Sequence, residues 1–430
     1  MLVKNQTKWN LPELAQDWEY KQLGDMLLTV VDNRGKTPPL TDHGIKLIET
    51  KHLSNNALYP LEVSENNQKY VSQQTFDTWF RGHPQENDIL FSTVGSNFPQ
   101  RCLVPPNPYF CTGQNLVALR PNPKIIDPWY LLLALGHRTF LYQVDANTIT
   151  TAQPSIRVKD LLECVIIYPP LHIQKHIASL YKAILNKIEL NRRLNATLEE
   201  MARAIFKSWF VDFDPVHAKA NGTAYPLDAA TMALFPDRFE EVEGRMVPEG
   251  WRVFKLEQVL ELNYGKSLRK KDRVAGHVPV YGSNGQIDWH NEHLVKGPGI
   301  VVGRKGSAGI VTWVHEDFYP IDTTFYVSSK KISSLSFLYY SLEKLDLPSL
   351  VSDSAVPGLN RNMAYMSPIL IPSTSILDAF QNLIRTFNQR VDYNNHQSQT
   401  IADLRDTLLP KLISGQLRVT EAAEMVEEVT

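Results

Sequence analysis

The side chains best suited to chemistry in this chain are cations and amides set in glycine-hinged loops. Lys266, Arg269, Lys270, Lys271 and Arg273 place five cations within eight residues, with one acid among them, after a Tyr264-Gly265 turn. Tyr281-Gly-Ser-Asn-Gly-Gln286 and Gly303-Arg-Lys-Gly-Ser307 follow, carrying Ser283, Asn284, Gln286, Arg304, Lys305 and Ser307. Cationic side chains suit phosphate contact. Arginine also pairs with the guanine edge, and asparagine and glutamine pair with the adenine edge. The earlier half of the chain has counterparts: Arg34-Gly-Lys-Thr37, with Arg34 and Lys36, and Ser92-Thr-Val-Gly-Ser-Asn97, with Ser92, Ser96 and Asn97, followed by Arg101. All these residues are candidate DNA contacts. A solvated basic face and plain hairpin turns explain the same residue types, so both readings stand at this level.

Signatures of catalysis are missing. There is no G-x-x-x-x-G-K-[ST] loop for nucleotide phosphates. Gly297-Pro-Gly299-Ile-Val-Val-Gly303 is not G-x-G-x-x-G, and it leads into strand-like rather than helical sequence. Asn107-Pro-Tyr-Phe110 approaches the N-P-P-[YF] pattern of amino-methyltransferases but lacks the second proline, and reads as a turn. Pro236-Asp237 with Glu240, Glu243 and Arg245 has nuclease-like spacing without the lysine, and reads as acidic linker. His172 and His176 stand one helical turn apart with no third ligand nearby. Cys102, Cys111 and Cys164 form no C-x-x-C pair, which fits a reducing, cytoplasmic compartment. No catalytic residue, metal or cofactor is therefore assigned to the chain. Met1-Leu-Val-Lys-Asn-Gln6 lacks the apolar core of a signal peptide, and no apolar run is long enough to span a bilayer.

The elements that must position these loops occur twice. Pro154 to Phe210 aligns with Pro357 to Ile413 at a constant offset of 203 residues. Trp18-Glu-Tyr-Lys-Gln-Leu23 aligns with Trp251-Arg-Val-Phe-Lys-Leu256 at an offset of 233, so the second copy is 30 residues shorter in between. Such duplication sets architecture before any local signal does. Residues 172–207 carry an a/d stripe through Ile177, Leu180, Ile184, Lys187, Asn191, Leu194, Leu198, Met201 and Ile205. The copy runs through Phe380, Leu383, Phe387, Arg390, Asn394, Gln397, Ile401, Leu404 and Leu408. It should begin after Pro372-Ser-Thr-Ser375 and end near Ser414-Gly415, with Pro410 a place where it could kink or stop. A helix of this length is about 54 Å long. If the two pack antiparallel, Asn191 and Asn394 meet near the middle and fix the helix register, and the heads lie at opposite ends.

The expected fold is mixed α/β: two α+β heads joined by two long antiparallel coiled-coil helices in a pseudo-two-fold repeat. The expected boundaries are 1–170 and 251–373 for the heads, 171–213 and 374–415 for the helices, 214–250 for a linker and 416–430 for a tail. Asp88–Val94, Leu116–Leu119, Gly299–Lys305 and Thr324–Val327 read as strands, and Pro128–Leu141 and Leu335–Leu345 as short helices. The formal net charge of −2 argues against strong autonomous DNA binding. It leaves room for local basic loops, or for charge supplied by a partner.

Taken together, the order head, helix, head, helix resembles the specificity (S) subunit of type I restriction-modification enzymes. The likeness is carried by Phe206-Lys-Ser-Trp-Phe-Val-Asp-Phe-Asp-Pro215, Leu404-Arg-Asp-Thr-Leu-Leu-Pro-Lys-Leu-Ile-Ser-Gly-Gln-Leu417, Pro248-Glu-Gly-Trp251 and Gly303 to Gly309. It implies a non-catalytic subunit whose heads each read half of a split, asymmetric DNA site, with the helices setting the unread spacer. Implied partners are double-stranded DNA, two methyltransferase (M) subunits using S-adenosylmethionine, and restriction (R) subunits using ATP. The unequal heads imply two different half-sites. The competing expectations are a self-contained nuclease or methyltransferase, and a coiled-coil adaptor whose heads bind protein.

Overall fold

A computed structural model describes residues 11, 13–14, 17–33, 35, 37–149, 153–352 and 358–427. Arg34, Lys36, Pro357 and the N-terminal stretch read for a leader lie outside the described residues. The chain forms two compact units, Met1–Arg192 with His396–Thr430, and Arg193–Asn395. Each contains one head and one half of each long helix.

In the first unit the strands are β1 (Glu19–Gln22), β2 (Leu27–Asp32), β3 (Ile45–Ile48), β4 (Lys69–Val71), β5 (Ile89–Ser92), β6 (Arg101–Leu103), β7 (Phe110–Thr112), β8 (Leu116–Pro121) and β9 (Val165–Tyr168). They form a four-stranded sheet, β2-β8-β5-β6, a three-stranded sheet, β4-β3-β7, and a separate pair, β1-β9. A connector hairpin follows, β10 (Phe239–Val242) with β11 (Arg245–Pro248). The second head contains β12 (Arg252–Lys255), β13 (Leu260–Tyr264), β14 (Val278–Gly282), β15 (Gly285–His290), β16 (Gly299–Gly303), β17 (Val311–Val314), β18 (Tyr319–Pro320), β19 (Thr324–Ser329), β20 (Val351–Ser352), β21 (Gly358–Leu359) and β22 (Pro368–Ile371). Its sheets are β13-β19-β16-β17 and β15-β14-β18, with the pair β12-β22.

The two heads therefore share one strand order, although their interiors align poorly in sequence. The parallel pair of each small sheet, β3-β7 and β14-β18, recurs too. The outer pairs match in register: Glu19 faces Tyr168, and Arg252 faces Ile371, which are the same positions moved by 233 and 203. The central strands read as apolar runs because both faces are covered: β5 and β16 are buried along their full lengths.

The anticipated helix from Pro128 is two helices, Pro128–Ala134 and Arg138–Ala146. Asp127 caps the first, with Oδ1 accepting from the backbone of Trp129 and Tyr130. The break falls at Gly136, where a Cβ would lie 1.8 Å from Arg101 Nη2. Passage of that guanidinium, not a turn signal, divides the helix. Leu335–Lys344 is one helix, as expected, capped by Ser334.

The long helices span Leu171–Phe210 and Thr374–Ile413, again 203 residues apart, and the second continues through Pro410. Gly415 then takes a φ of 76°, and Leu417 N–H reaches back to Lys411 O, a left-handed stop that glycine accepts. Within the first unit, Ile184 packs with Ile401, Leu408 and Leu412. Within the second, Phe206 and Trp209 meet Phe380. The helix halves in each unit thus run antiparallel. The expected stripe holds as far as Asn191 and then slips by one position. Leu194 and Met201 are exposed, whereas Ala202, Phe206 and Trp209 are buried. A straight helix drifts against a strict seven-residue repeat, and here it turns toward aromatic partners in the head, Phe337 and Trp251. On the second helix Arg390 is exposed and Ile384 is buried.

Asn191 and Asn394 are both buried. Asn191 Nδ2 donates to Gln397 Oε1 (3.0 Å) and Ser398 Oγ (3.1 Å). Asn394 Nδ2 donates to Asn195 Oδ1 (2.8 Å). Each amide reaches the opposite helix within its own unit.

Two stretches read as linker and tail are structured. The connector forms helices Asp214–Asn221 and Ala229–Ala233 and the β10-β11 hairpin, and Val216 and Phe235 enter the second head's core. Glu240 of the nuclease-like pattern accepts from Gly250 N–H and Arg252 in that hairpin. The tail forms helix Val419–Glu427, which buries Ala422 and Val426 against the long helices. Short apolar spacings inside polar stretches concealed both.

One demanding buried contact in the first head is Asp88 with Arg120. Asp88 is 1% exposed, and its oxygens accept from Nε (3.0 Å) and Nη2 (2.9 Å). Arg120→Met should destabilise this head by about 3–5 kcal/mol, because a lone buried carboxylate remains. Adding Asp88→Asn should recover part of that loss. Urea unfolding of the single and double variants measures both.

Candidate nucleic-acid interface

In the second head the glycine-hinged loops converge at one end of the sheets. β13 delivers Tyr264, Gly265 and Lys266, and Lys266 N–H donates to Pro320 O. The β14-β15 turn delivers Ser283 and Asn284. β16 ends at Gly303 and releases the Arg304-Lys-Gly-Ser307 loop. Gly303 is obligatory there, since a Cβ would stand 2.1 Å from Ser307 O. Gly306 takes a φ of 75° beside Ser283 Oγ. Ser307 Oγ lies 3.4 Å from Asn284 Oδ1, which joins two of the loops. The backbones of Arg304 and Lys305 both donate to Thr323 O, and Leu359 N–H donates to Arg304 O.

Arg304 is oriented rather than free. Its Nη1 donates to Asp322 O (2.8 Å), and its guanidinium lies 4.9 Å from the Tyr264 ring centroid. Arg361 stacks on the same ring at 5.0 Å and on Tyr365 at 5.4 Å. Two guanidiniums on one half-exposed tyrosine form a rigid, cationic platform. Lys305, Asn284, Gln286, Lys266, Lys270 and Lys271 are exposed in the loops of this head. Arg269 is exposed and paired with Asp272 at 2.7 Å. Arg273, a member of the same basic run, is instead held by Asp288 at 2.8 Å, with its side chain 13% exposed.

The first head presents a more neutral end. Ser96 and Asn97 are exposed in the turn between β5 and β6. Gln100 ties that turn down, donating to Asn97 O and accepting from Asn55 N–H, and Asn55 also donates to Pro99 O. Two expected contacts are corrected here. Ser92 is buried, and its Oγ accepts from Gln100 N–H. Arg101 turns away from the loops into the protein, donating to Leu132 O (3.1 Å) and Asn55 Oδ1 (3.0 Å). Sequence reasoning missed Tyr264 as a stacking platform, together with Arg361 and Asn55. Arg361 directly follows the Pro357–Asn360 segment of the repeat, and that position was the available signal.

Among the described residues, no three His, Cys, Asp or Glu gather as metal ligands. The three cysteines are buried, and burial pushes the Cys111 thiol up to about 12. Asn107 sits at a φ of 50° in a bend, as its turn reading requires. No helix is long and apolar enough to cross a membrane.

Known proteins agree with this arrangement. The model for the type I restriction modification DNA specificity domain matches residues 15–200 and again 248–402. The chain belongs to this family. Its two matched segments begin 233 residues apart, the offset of the Trp18 and Trp251 strands. The chain is 24% identical to the type I restriction enzyme HindI specificity subunit of Haemophilus influenzae, over 93% of this chain and 100% of that protein. It is 22% identical to the MjaIX specificity subunit of Methanocaldococcus jannaschii, over 96% of each. The S subunit of a type I restriction-modification system from M. genitalium shares the fold, with a TM-score of 0.51 at 16% identity, over 94% of this chain and 97% of that one.

As a specificity-family member, the chain should lose DNA affinity when Arg304 and Lys305 are both changed to Ala. The log–log salt dependence should flatten by about 1 if Lys305 alone contacts phosphate, and by about 2 if both do. Arg273→Ala should mainly lower stability, because that cation is occupied internally. Fluorescence anisotropy across a salt series, with thermal melts of each variant, separates the two effects.

Proposed function

We propose that this chain is the sequence-reading subunit of a type I restriction-modification complex, acting on a bipartite, asymmetric DNA site. The observation that carries the reading is the pair of heads. They share one strand order but display different end loops: arginine, lysine and tyrosine on one, serine and asparagine on the other. A common scaffold with different reading groups suits two unlike half-sites. Base edges are read by Asn284, Gln286, Ser283, Ser307 and Arg304 in the second head, and by Ser96 and Asn97 in the first. Lys266, Arg269, Lys270, Lys271 and Lys305 serve the phosphates.

The long helices set the unread spacer. A 40-residue helix is about 60 Å long, and a duplex turn is about 34–36 Å. Asn191 and Asn394 hold the helix register, since a buried amide is satisfied only at one alignment. The head boundaries are 1–170 and 251–373. Chemistry resides in the partners: two methyltransferase subunits that transfer a methyl group to adenine, and restriction subunits that cleave. The chain is a cytoplasmic protein in this reading.

Methylome sequencing of a host carrying this chain, with and without its methyltransferase subunit, is the direct test. A split adenine-methylated motif should appear only with both. A motif produced by the chain alone would make it an enzyme, and unselective DNA binding by the assembled complex would favour the protein-adaptor reading. Inserting about four residues into one long helix, roughly 6 Å of rise, should change the spacer and preserve both half-sites. Changed half-sites with a constant spacer would overturn the ruler.

A further inference from the structure

We propose that the junction between the first head and the C-terminal third of the second long helix is a binding site for a small oxyanion of the phosphate or sulfate class. A cavity of about 370 Å³ lies there, lined by Asn55, Arg101, His137, Arg138, Tyr181 and Arg405 among others. Asp406 is the one carboxylate among the lining residues, against three guanidiniums. It pairs with Arg405 Nε at 2.7 Å from the outer side, being largely exposed itself.

The donors exceed the acceptors. Arg101 is partly buried, and its hydrogen-bond partners Leu132 O and Asn55 Oδ1 are both neutral. Its own burial and the nearby Arg405 both press its pKa downward, and Tyr181 lies in the field of both guanidiniums. His137 is 7% exposed, and its Nδ1 accepts from Thr139 N–H. Its proton therefore belongs on Nε2, and that nitrogen is buried without a hydrogen-bond partner. Burial, then the adjacent Arg138 charge, lowers the imidazole pKa to about 4, so the ring is a neutral donor at physiological pH. A guanidinium fork, an imidazole N–H and a phenol approach from separate segments. A tetrahedral oxyanion offers acceptors in several directions at once and suits that set.

The repeat supplies an independent comparison. In the second unit the equivalent junction holds Arg203, Phe206 and Lys207, which align with Asp406, Leu409 and Pro410. There Arg203 is clamped by Glu343 of the head helix, at 3.1 Å from both Nε and Nη2, and by Glu199 at 2.6 Å. The second head thus neutralises its junction cation with its own carboxylate. The first head lines its junction with Arg101, His137 and Arg138 and contributes no carboxylate there, the position equivalent to Arg203 being Asp406 on the helix, so a bound anion supplies charge that the head itself does not.

Calorimetric titration of the full chain with inorganic phosphate and with sulfate, at ionic strength matched by chloride, tests the site. One saturable site per chain and a phosphate-dependent rise in Tm are expected. Arg405→Gln should weaken binding at least tenfold while leaving the chloride Tm nearly unchanged. Should that variant fail to fold, Arg138→Gln, at an exposed position, should weaken binding several-fold. Absence of saturable binding by wild type, or equal binding by both variants, would overturn the proposal. So would variants that lose DNA affinity when wild type binds neither anion, which would assign these arginines to the duplex backbone.

Discussion

The pairing of each head's first strand with its last is the contact on which the other elements depend. β1 with β9, and β12 with β22, bring the two ends of a head together and aim the chain directly into a long helix. Pro169-Pro170 follows β9 and removes two backbone donors, so the strand cannot continue and the helix begins at Leu171. The angle is then locked by buried polar groups. Gln174 accepts from Asp127 N–H and donates to Pro169 O, and Gln143 brackets Val165 with both ends of its amide. In the second head Gln381 receives Ser334 Oγ and Ser336 N–H at the start of the head helix. Each such amide is costly to leave unsatisfied, so the head and helix within a unit behave as one body.

That rigidity allows the heads to diverge. Their reading loops sit at strand ends, where glycine rather than packing decides the backbone, as at Gly303 and Gly306. Exchange of an exposed Asn or Lys there leaves the buried faces of β5, β8, β16 and β19 in place, provided apolar loop residues such as Phe98, which meets Phe91 of β5, are kept. Thirty residues of difference between the copies fall in the loops and small sheets while the strand order persists. Longer surface loops cost little additional closure entropy, which fits a scaffold that tolerates replacement of its reading surface.

Much of this was legible from spacing. The constant offsets located both long helices and both closing strands, and the apolar runs located β5, β8, β16 and β19. Three kinds of feature were not legible. Ser92 and Arg101 match a binding loop by composition, but tertiary hydrogen bonds to Gln100, Leu132 and Asn55 turn them inward. The stripe beyond Asn191 followed the head's aromatic core rather than the opposite helix, and a helix-only pattern cannot anticipate that. The connector and tail carried too few apolar residues to signal burial alone, yet Phe235 and Val426 needed only a neighbour's surface to fold upon. For Arg101 and the helix stripe the deciding partner lay far away in sequence, whereas Ser92 answers to Gln100 eight residues on.

Charge gives the last constraint. The chain carries 44 basic and 46 acidic side chains, and the second head engages several of its cations internally. Arg273 is held by Asp288, Arg269 by Asp272, and Lys330 by Glu261. The exposed pairs contribute little stability, so they remain exchangeable for phosphate, whereas Arg273 does not. Lys266, Lys270, Lys271 and Lys305 are among the exposed cations of this head, and Arg304 and Arg361 stack on Tyr264. A few cations neutralise a few phosphates, which yields weak and salt-sensitive attraction to duplex DNA. In the function proposed above, discrimination between sequences rests on oriented groups such as Arg304, and partner subunits add the surfaces that supply most of the affinity. Separating affinity from discrimination in this way lets the reading loops change without detaching the complex from DNA.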